Sequence, residues 1–109
     1  MAYIEFTEGS YAGQRRDLSS ESVTIGRNPD AHILLDDLSA STDHAELRFH
    51  EGQWWILDLG SANGTELNKE PIESAVLESG DVVTVGLTSF IFQEQVTTAA
   101  PAEATVNTN

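Results

Sequence analysis

No apolar run in this chain is longer than a few residues, and that limits its fold more than any other feature. Between Val23 and Thr65 the sequence reads VTIGR, then DDLSASTDHAELRF, then WWILDLGSANGT. Short apolar runs join three polar turns, GR, SASTDH and GSANGT. Runs this brief and this rich in β-branched residues make strands rather than helices. On a β scaffold a site belongs to the loops, because the strands are committed to pairing and packing. Arg27 is the one strongly basic group of the first turn, Ser41 and His44 sit in the second, and Asn63 with Gly64 in the third.

The same signal runs through the rest of the chain. Ile4 and Phe6 alternate with Tyr3, Glu5 and Thr7, the period of a half-buried strand. The turn EGSYAG leads to a second strand over Gln14 to Leu18, and Val23 to Ile25 make a third. Gly26 then supplies either an unusual dihedral or a close backbone approach, and Asn28-Pro29 turns the chain. Ile33 and Leu35 share one face of a brief strand. Ala45, Leu47 and Phe49 point to one side, with Glu46, Arg48 and His50 on the other. HEGQ is a hairpin link, and the returning strand puts Trp54 and Ile56 on one face and Trp55 and Leu57 on the other. Asn63-Gly64 is the strongest tight-turn signal in the sequence. The last hairpin turns around Gly86 and aligns Phe90 with Phe92.

Ten or eleven short strands and no helix describe an all-β sandwich over residues 1–95. Residues 96–109 lack aromatics and periodicity and read as a disordered tail or a linker.

Charge narrows the partners. Against 18 acidic residues stand five basic ones, a net charge of -13. Such a surface repels nucleic acid and anionic membranes, so neither is expected as a partner. An anion site here is a local exception to the global field. The absence of cysteine excludes disulfides, thiolate metal sites and cysteine nucleophiles. No apolar run approaches the length of about 18 residues that a spanning helix needs, and the acidic start does not read as a secretory signal, so a cytoplasmic setting is expected.

Each candidate residue has a plainer reading beside the functional one. Arg27 either grips an anion or forms a salt bridge with Asp30, Asp36 or Asp43. Ser41 either faces a ligand or caps a turn at the amide of Asp43 or His44. Asn63 either meets a ligand or serves the Asn-Gly turn alone. Ser41 and His44 do not make a hydrolase, because no strand-nucleophile-helix elbow surrounds the serine. Three scattered histidines give no metal-binding pattern, adjacent Asp36 and Asp37 point in opposite directions, and neither metal nor cofactor is expected.

Taken in order, Gly26-Arg27, Ser41 with His44, and Asn63-Gly64 resemble the forkhead-associated (FHA) domain family. The later LESGDVVTVG and FIF fit as well, and the likeness runs from Met1 to about Gln95. It implies an FHA-like (SMAD/FHA) β-sandwich of about eleven strands, non-catalytic, whose loops bind phosphothreonine in a partner modified by a Ser/Thr kinase. By the resemblance, Arg27 grips the phosphate, Ser41 donates a hydroxyl and Asn63 bonds the peptide main chain. Gly26, His44 and Gly64 are scaffold residues. The chain departs from the family at Thr42, where Arg, Lys or Asn is common and adds a contact that the Thr42 hydroxyl supplies only in part. It departs again at Asp43, commonly basic, at Ser39, basic in some members, and at Ala62, usually Thr. These departures leave open an alternative, a phosphate-independent docking domain whose partner is unmodified. A third arrangement places phosphorylated Thr97 or Thr98 in the chain's own loops.

Overall fold

The computed structural model describes residues 2–94, and these form eleven strands. They are β1 (Ala2–Glu8), β2 (Arg15–Leu18), β3 (Ser22–Gly26), β4 (Ile33–Leu34), β5 (Ala45–His50), β6 (Gln53–Asp58), β7 (Thr65–Leu67), β8 (Glu70–Ile72), β9 (Ser74–Val76), β10 (Val82–Val85) and β11 (Thr88–Glu94). A six-stranded sheet has the order β2-β1-β11-β10-β7-β8, and a five-stranded sheet the order β4-β3-β5-β6-β9. Pairing is antiparallel except between β3 and β4. The expectations for residues 96–109, including Thr97 and Thr98, lie outside the described residues.

Alternation decides what each strand buries. Ile4 and Phe6 of β1, Val83 and Val85 of β10, and Phe90 and Phe92 of β11 point inward from one sheet. Ile25, Leu47 and Ile56 meet them from the other. Each such side chain contributes about 1.5–3 kcal/mol by leaving water. The Phe6 and Phe90 rings pack edge to face at 5.9 Å, and Trp54 reaches Phe92 at 6.4 Å. Trp54 is therefore core, while Trp55 is half-buried on the outer face.

Glu46 lies on the face of β5 opposite Leu47, as the alternation requires, yet it is only 7 % exposed. Arg48 lies over its carboxylate and the Ser22 hydroxyl donates to it, so the charge is covered by partners rather than water. Asn63-Gly64 does not close a tight hairpin. The turns in which both residues take positive φ are Glu51-Gly52 (53° and 79°) and Asn68-Lys69 (51° and 72°). At 63–64 only Gly64 does so, at 84°, because β6 and β7 belong to different sheets and have no shared ladder to close.

The topology separates two poles. Ala2 pairs with both Leu18 and Glu94, so the described chain starts and finishes at one of them. The β3–β4, β4–β5, β6–β7 and β10–β11 connections gather at the other, bonded to one another as follows.

Candidate functional site

The first two loops are joined through their backbones. The Arg27 amide donates to the Ser41 carbonyl at 3.2 Å and the Asn28 amide to that of Thr42 at 3.0 Å. Only a glycine permits this approach, because a Cβ on Gly26 would lie 2.2 Å from the Thr42 oxygen. Of the alternatives for Gly26, close approach is the one realised. The Asn28 side chain accepts from the Asp30 amide at 2.9 Å and donates to an Asp43 carboxylate oxygen at 3.1 Å. The turn that carries Arg27 is thus fixed on both sides.

The second and third loops are joined through His44, which is wholly buried. Its Nδ1 accepts the Ser41 amide at 2.9 Å, which leaves Nε2 to donate to the Gly64 carbonyl at 2.9 Å. Both ring nitrogens are engaged with backbone, and neither meets the Ser41 hydroxyl. That hydroxyl oxygen instead accepts the Ala62 amide at 2.9 Å, across to the third loop. The expected cap at Asp43 or His44 is not formed, and the hydroxyl proton stays available for donation. Asn63 donates through Nδ2 to the Ser39 carbonyl at 2.7 Å, keeping its carbonyl oxygen and second amide hydrogen.

Two aspartates brace the loops from below. Asp58 accepts the Ser61 and Thr65 hydroxyls at 2.5 and 2.7 Å, and the Gly60 and Ser61 amides at 3.1 Å each. The Ser61 oxygen in turn accepts the Gly64 amide at 2.9 Å. Asp37 accepts the Ser39 amide at 2.8 Å, the Leu87 amide at 2.6 Å and the Thr88 hydroxyl at 2.9 Å, which clamps the second loop to the β10–β11 turn. Burial alone would raise both carboxyls. The donated hydrogen bonds overcome it and hold both below the usual aspartate range. The sequence reading gave these aspartates no supporting role. The Asp58-x-x-Ser61 spacing is a local signal that could have marked the first. Asp37 has partners 50 and 51 residues away and no local signal for them.

Above this bracing two side chains, those of Arg27 and Thr42, have no hydrogen bond among the described residues. Arg27 is exposed, and its guanidinium has no hydrogen bond or ion pair among the described residues. The salt bridge to Asp30, Asp36 or Asp43 is not formed. The Thr42 side chain is also exposed and unbonded among the described residues. Arg27, Ser41, Thr42 and Asn63 lie on three loops that these hydrogen bonds tie together, with Gly26, His44 and Gly64 at the contacts between the loops. Beside it, Leu38 and Leu87 are 82 % and 73 % exposed and border a cleft of about 560 Å³ that Ser39 also lines. Among the described residues no group of His, Cys, Asp or Glu could hold a metal ion, and no helix is long and apolar enough to cross a membrane.

The model of the FHA domain family matches residues 23–86. The glycogen accumulation regulator GarA of Mycolicibacterium smegmatis is 42 % identical over 91 residues, 84 % of this chain and 58 % of that protein. The oxoglutarate dehydrogenase inhibitor of Corynebacterium efficiens is 41 % identical over 91 residues, 84 % of this chain and 64 % of that protein. The chain thus spans less than two thirds of the length of either relative. Among solved structures, one from an analysis of phosphothreonine-dependent FHA domain interactions superposes with a TM-score of 0.79 at 32 % identity, covering 87 % of this chain and 97 % of that one. Mycobacterium tuberculosis EmbR in complex with a low-affinity phosphopeptide gives 0.80 at 29 % identity, covering 91 % of this chain and 26 % of that one.

Proposed function

This chain belongs to the FHA domain family, whose members generally mediate phosphothreonine-dependent protein interactions, and we propose that its own loops bind a phosphothreonine in a partner protein, without catalysis. The observation that carries this reading is Arg27, an exposed cation with no ion pair among the described residues of an acidic domain. Its planar fork suits two phosphate oxygens at once. The Ser41 hydroxyl, positioned by the Ala62 amide, donates its proton to a third oxygen or to the same ones. Thr42 offers a second hydroxyl where many relatives have a longer donor. Asn63, anchored on Ser39, turns its remaining amide groups to the main chain of the ligand. The ligand is the product of a Ser/Thr kinase, and a cytoplasmic encounter is part of the same proposal.

The departures tune the strength. Ala62 supplies no hydroxyl, and a hydrogen bond to a charged group is worth about 1.5–3 kcal/mol. The site is accordingly a weak one, suited to a partner that adds contacts of its own. A second reading, docking of an unmodified protein, is favoured by the exposure of Leu38 and Leu87 beside the loops. Treating a native partner with phosphatase separates the two, since only the second survives it.

The direct test is Arg27→Ala in titration calorimetry with a phosphothreonine peptide. Loss of a bidentate charged contact predicts a fall in affinity of roughly 100-fold. Thermal unfolding should not move, because the Arg27 side chain has no partner among the described residues and its amide bond to Ser41 survives the substitution. Unchanged affinity would remove Arg27 from the site.

A further inference from the structure

Asp43 is an exposed carboxylate that the joined loops hold in place, and its sign is opposite to that of Arg27. It is exposed, and one carboxylate oxygen is tied at 3.1 Å by the Asn28 amide group, on the residue that follows Arg27. Its neighbour Thr42 is locked to the same turn through the Asn28 amide at 3.0 Å. A neutral amide fixes the carboxylate without cancelling its charge, and Arg27 does not pair with it. The second carboxylate oxygen has no partner among the described residues. The loops therefore carry an unpaired cation and a held anion on two turns tied to each other, on a chain of net charge -13.

A phosphothreonine alone satisfies only the cation. Its nearly two negative charges meet Arg27 favourably and Asp43 unfavourably. A ligand that carries a lysine or arginine beside the phosphothreonine satisfies both, and one that carries an acidic residue there meets repulsion from the site and from the whole domain. We propose that Asp43 is a specificity-determining residue, and that the ligand is a phosphothreonine segment with a basic residue within about two positions of the phosphate, a reach of roughly 7 Å along an extended chain. This rests on the phosphothreonine reading above. The class of reaction that supplies such a ligand is phosphoryl transfer from ATP to a threonine hydroxyl by a kinase that selects basic surroundings.

The test is a matrix of synthetic peptides with a central phosphothreonine and Lys, Ser or Glu at each of the neighbouring positions, beside their unphosphorylated counterparts. The domain, Asp43→Asn and Arg27→Ala are each titrated. Asp43→Asn keeps an oxygen to accept from Asn28 and removes only the charge. The expected result is a preference for Lys over Glu of about tenfold at one position at low salt, shrinking at high salt as exposed charges are screened. In Asp43→Asn the Lys peptide weakens and the Glu peptide tightens, so that the preference falls to about twofold or less. Phosphate-dependent binding with no Lys preference, or with a preference that Asp43→Asn leaves intact, overturns the assignment of Asp43 while the phosphothreonine reading stands. Absence of phosphate-dependent binding across the whole matrix overturns both.

Discussion

His44 and Arg27 lie in one cluster of loops and are treated in opposite ways. Around His44, Asp58 and Asp37, donors meet acceptors: both imidazole nitrogens, the Ser61 hydroxyl and the Gly64 amide are all engaged. On the surface above, Arg27 and the Thr42 side chain have no partner among the described residues, and Ser41 spends its lone pair but not its proton. The lower layer sets the backbone, and the upper layer leaves donors without a partner among the described residues, as the proposed phosphothreonine site requires. Binding then requires little further ordering, which is where a small loop site recovers affinity. The difference also sorts substitutions: changes below should move stability first, and changes above should move binding alone.

The largest effect on stability should follow Asp58→Asn. The substitution leaves two hydroxyls and two amides facing a weaker acceptor that also brings unwanted donors. It should cost about 2–3 kcal/mol in denaturant unfolding, with binding reduced only through looser loops. An unchanged midpoint would mean that the lower layer does not hold the loops. A related effect follows from pH. Asp37 and Asp58 have folded-state pKa values depressed below the ordinary aspartate range, so the stability they confer is present above that range. It is lost as pH falls through their lowered folded values. Unfolding followed from neutral pH downward should show this loss, and Asp58→Asn should flatten the acid limb. The smallest effect belongs to the upper layer. Ala62→Thr adds a hydroxyl at an exposed position and should tighten a phosphothreonine peptide about fivefold, with stability changed by less than about 0.5 kcal/mol. A shift in stability instead would blur the two layers.

Most of the strand plan was legible because it rests on local chemistry. Alternation in β1, β5, β6 and β11 placed Ile4, Leu47, Ile56 and Phe92 inside, and Asn-Pro and Glu-Gly marked real turns. What was hidden depends on neighbours far along the chain. Asn63-Gly64 marked a tight turn, but the sequence does not show that the strands it links, β6 and β7, enter different sheets. For Ser41 the sequence offered a ligand or a local cap and not the bond it makes, because its partner, Ala62, is 21 residues on. The alternation put Glu46 opposite Leu47 but did not show that Arg48 and Ser22 close over it. The loop residues themselves could be named from their order, whereas Asp37 and Asp58, which brace them, could be identified only once their partners were in place.

The central claim is that the free donors above the braced loops await a phosphate. An NMR titration of the isotope-labelled domain with a phosphothreonine peptide library, run beside the same library unphosphorylated, addresses it directly. The account predicts phosphate-dependent shifts at the amides of Arg27, Ser41, Thr42 and Asn63, with Ala2, Trp54 and Phe92 towards the opposite pole unmoved. Identical responses to the two libraries, or silence at those four amides in a folded spectrum, would contradict it.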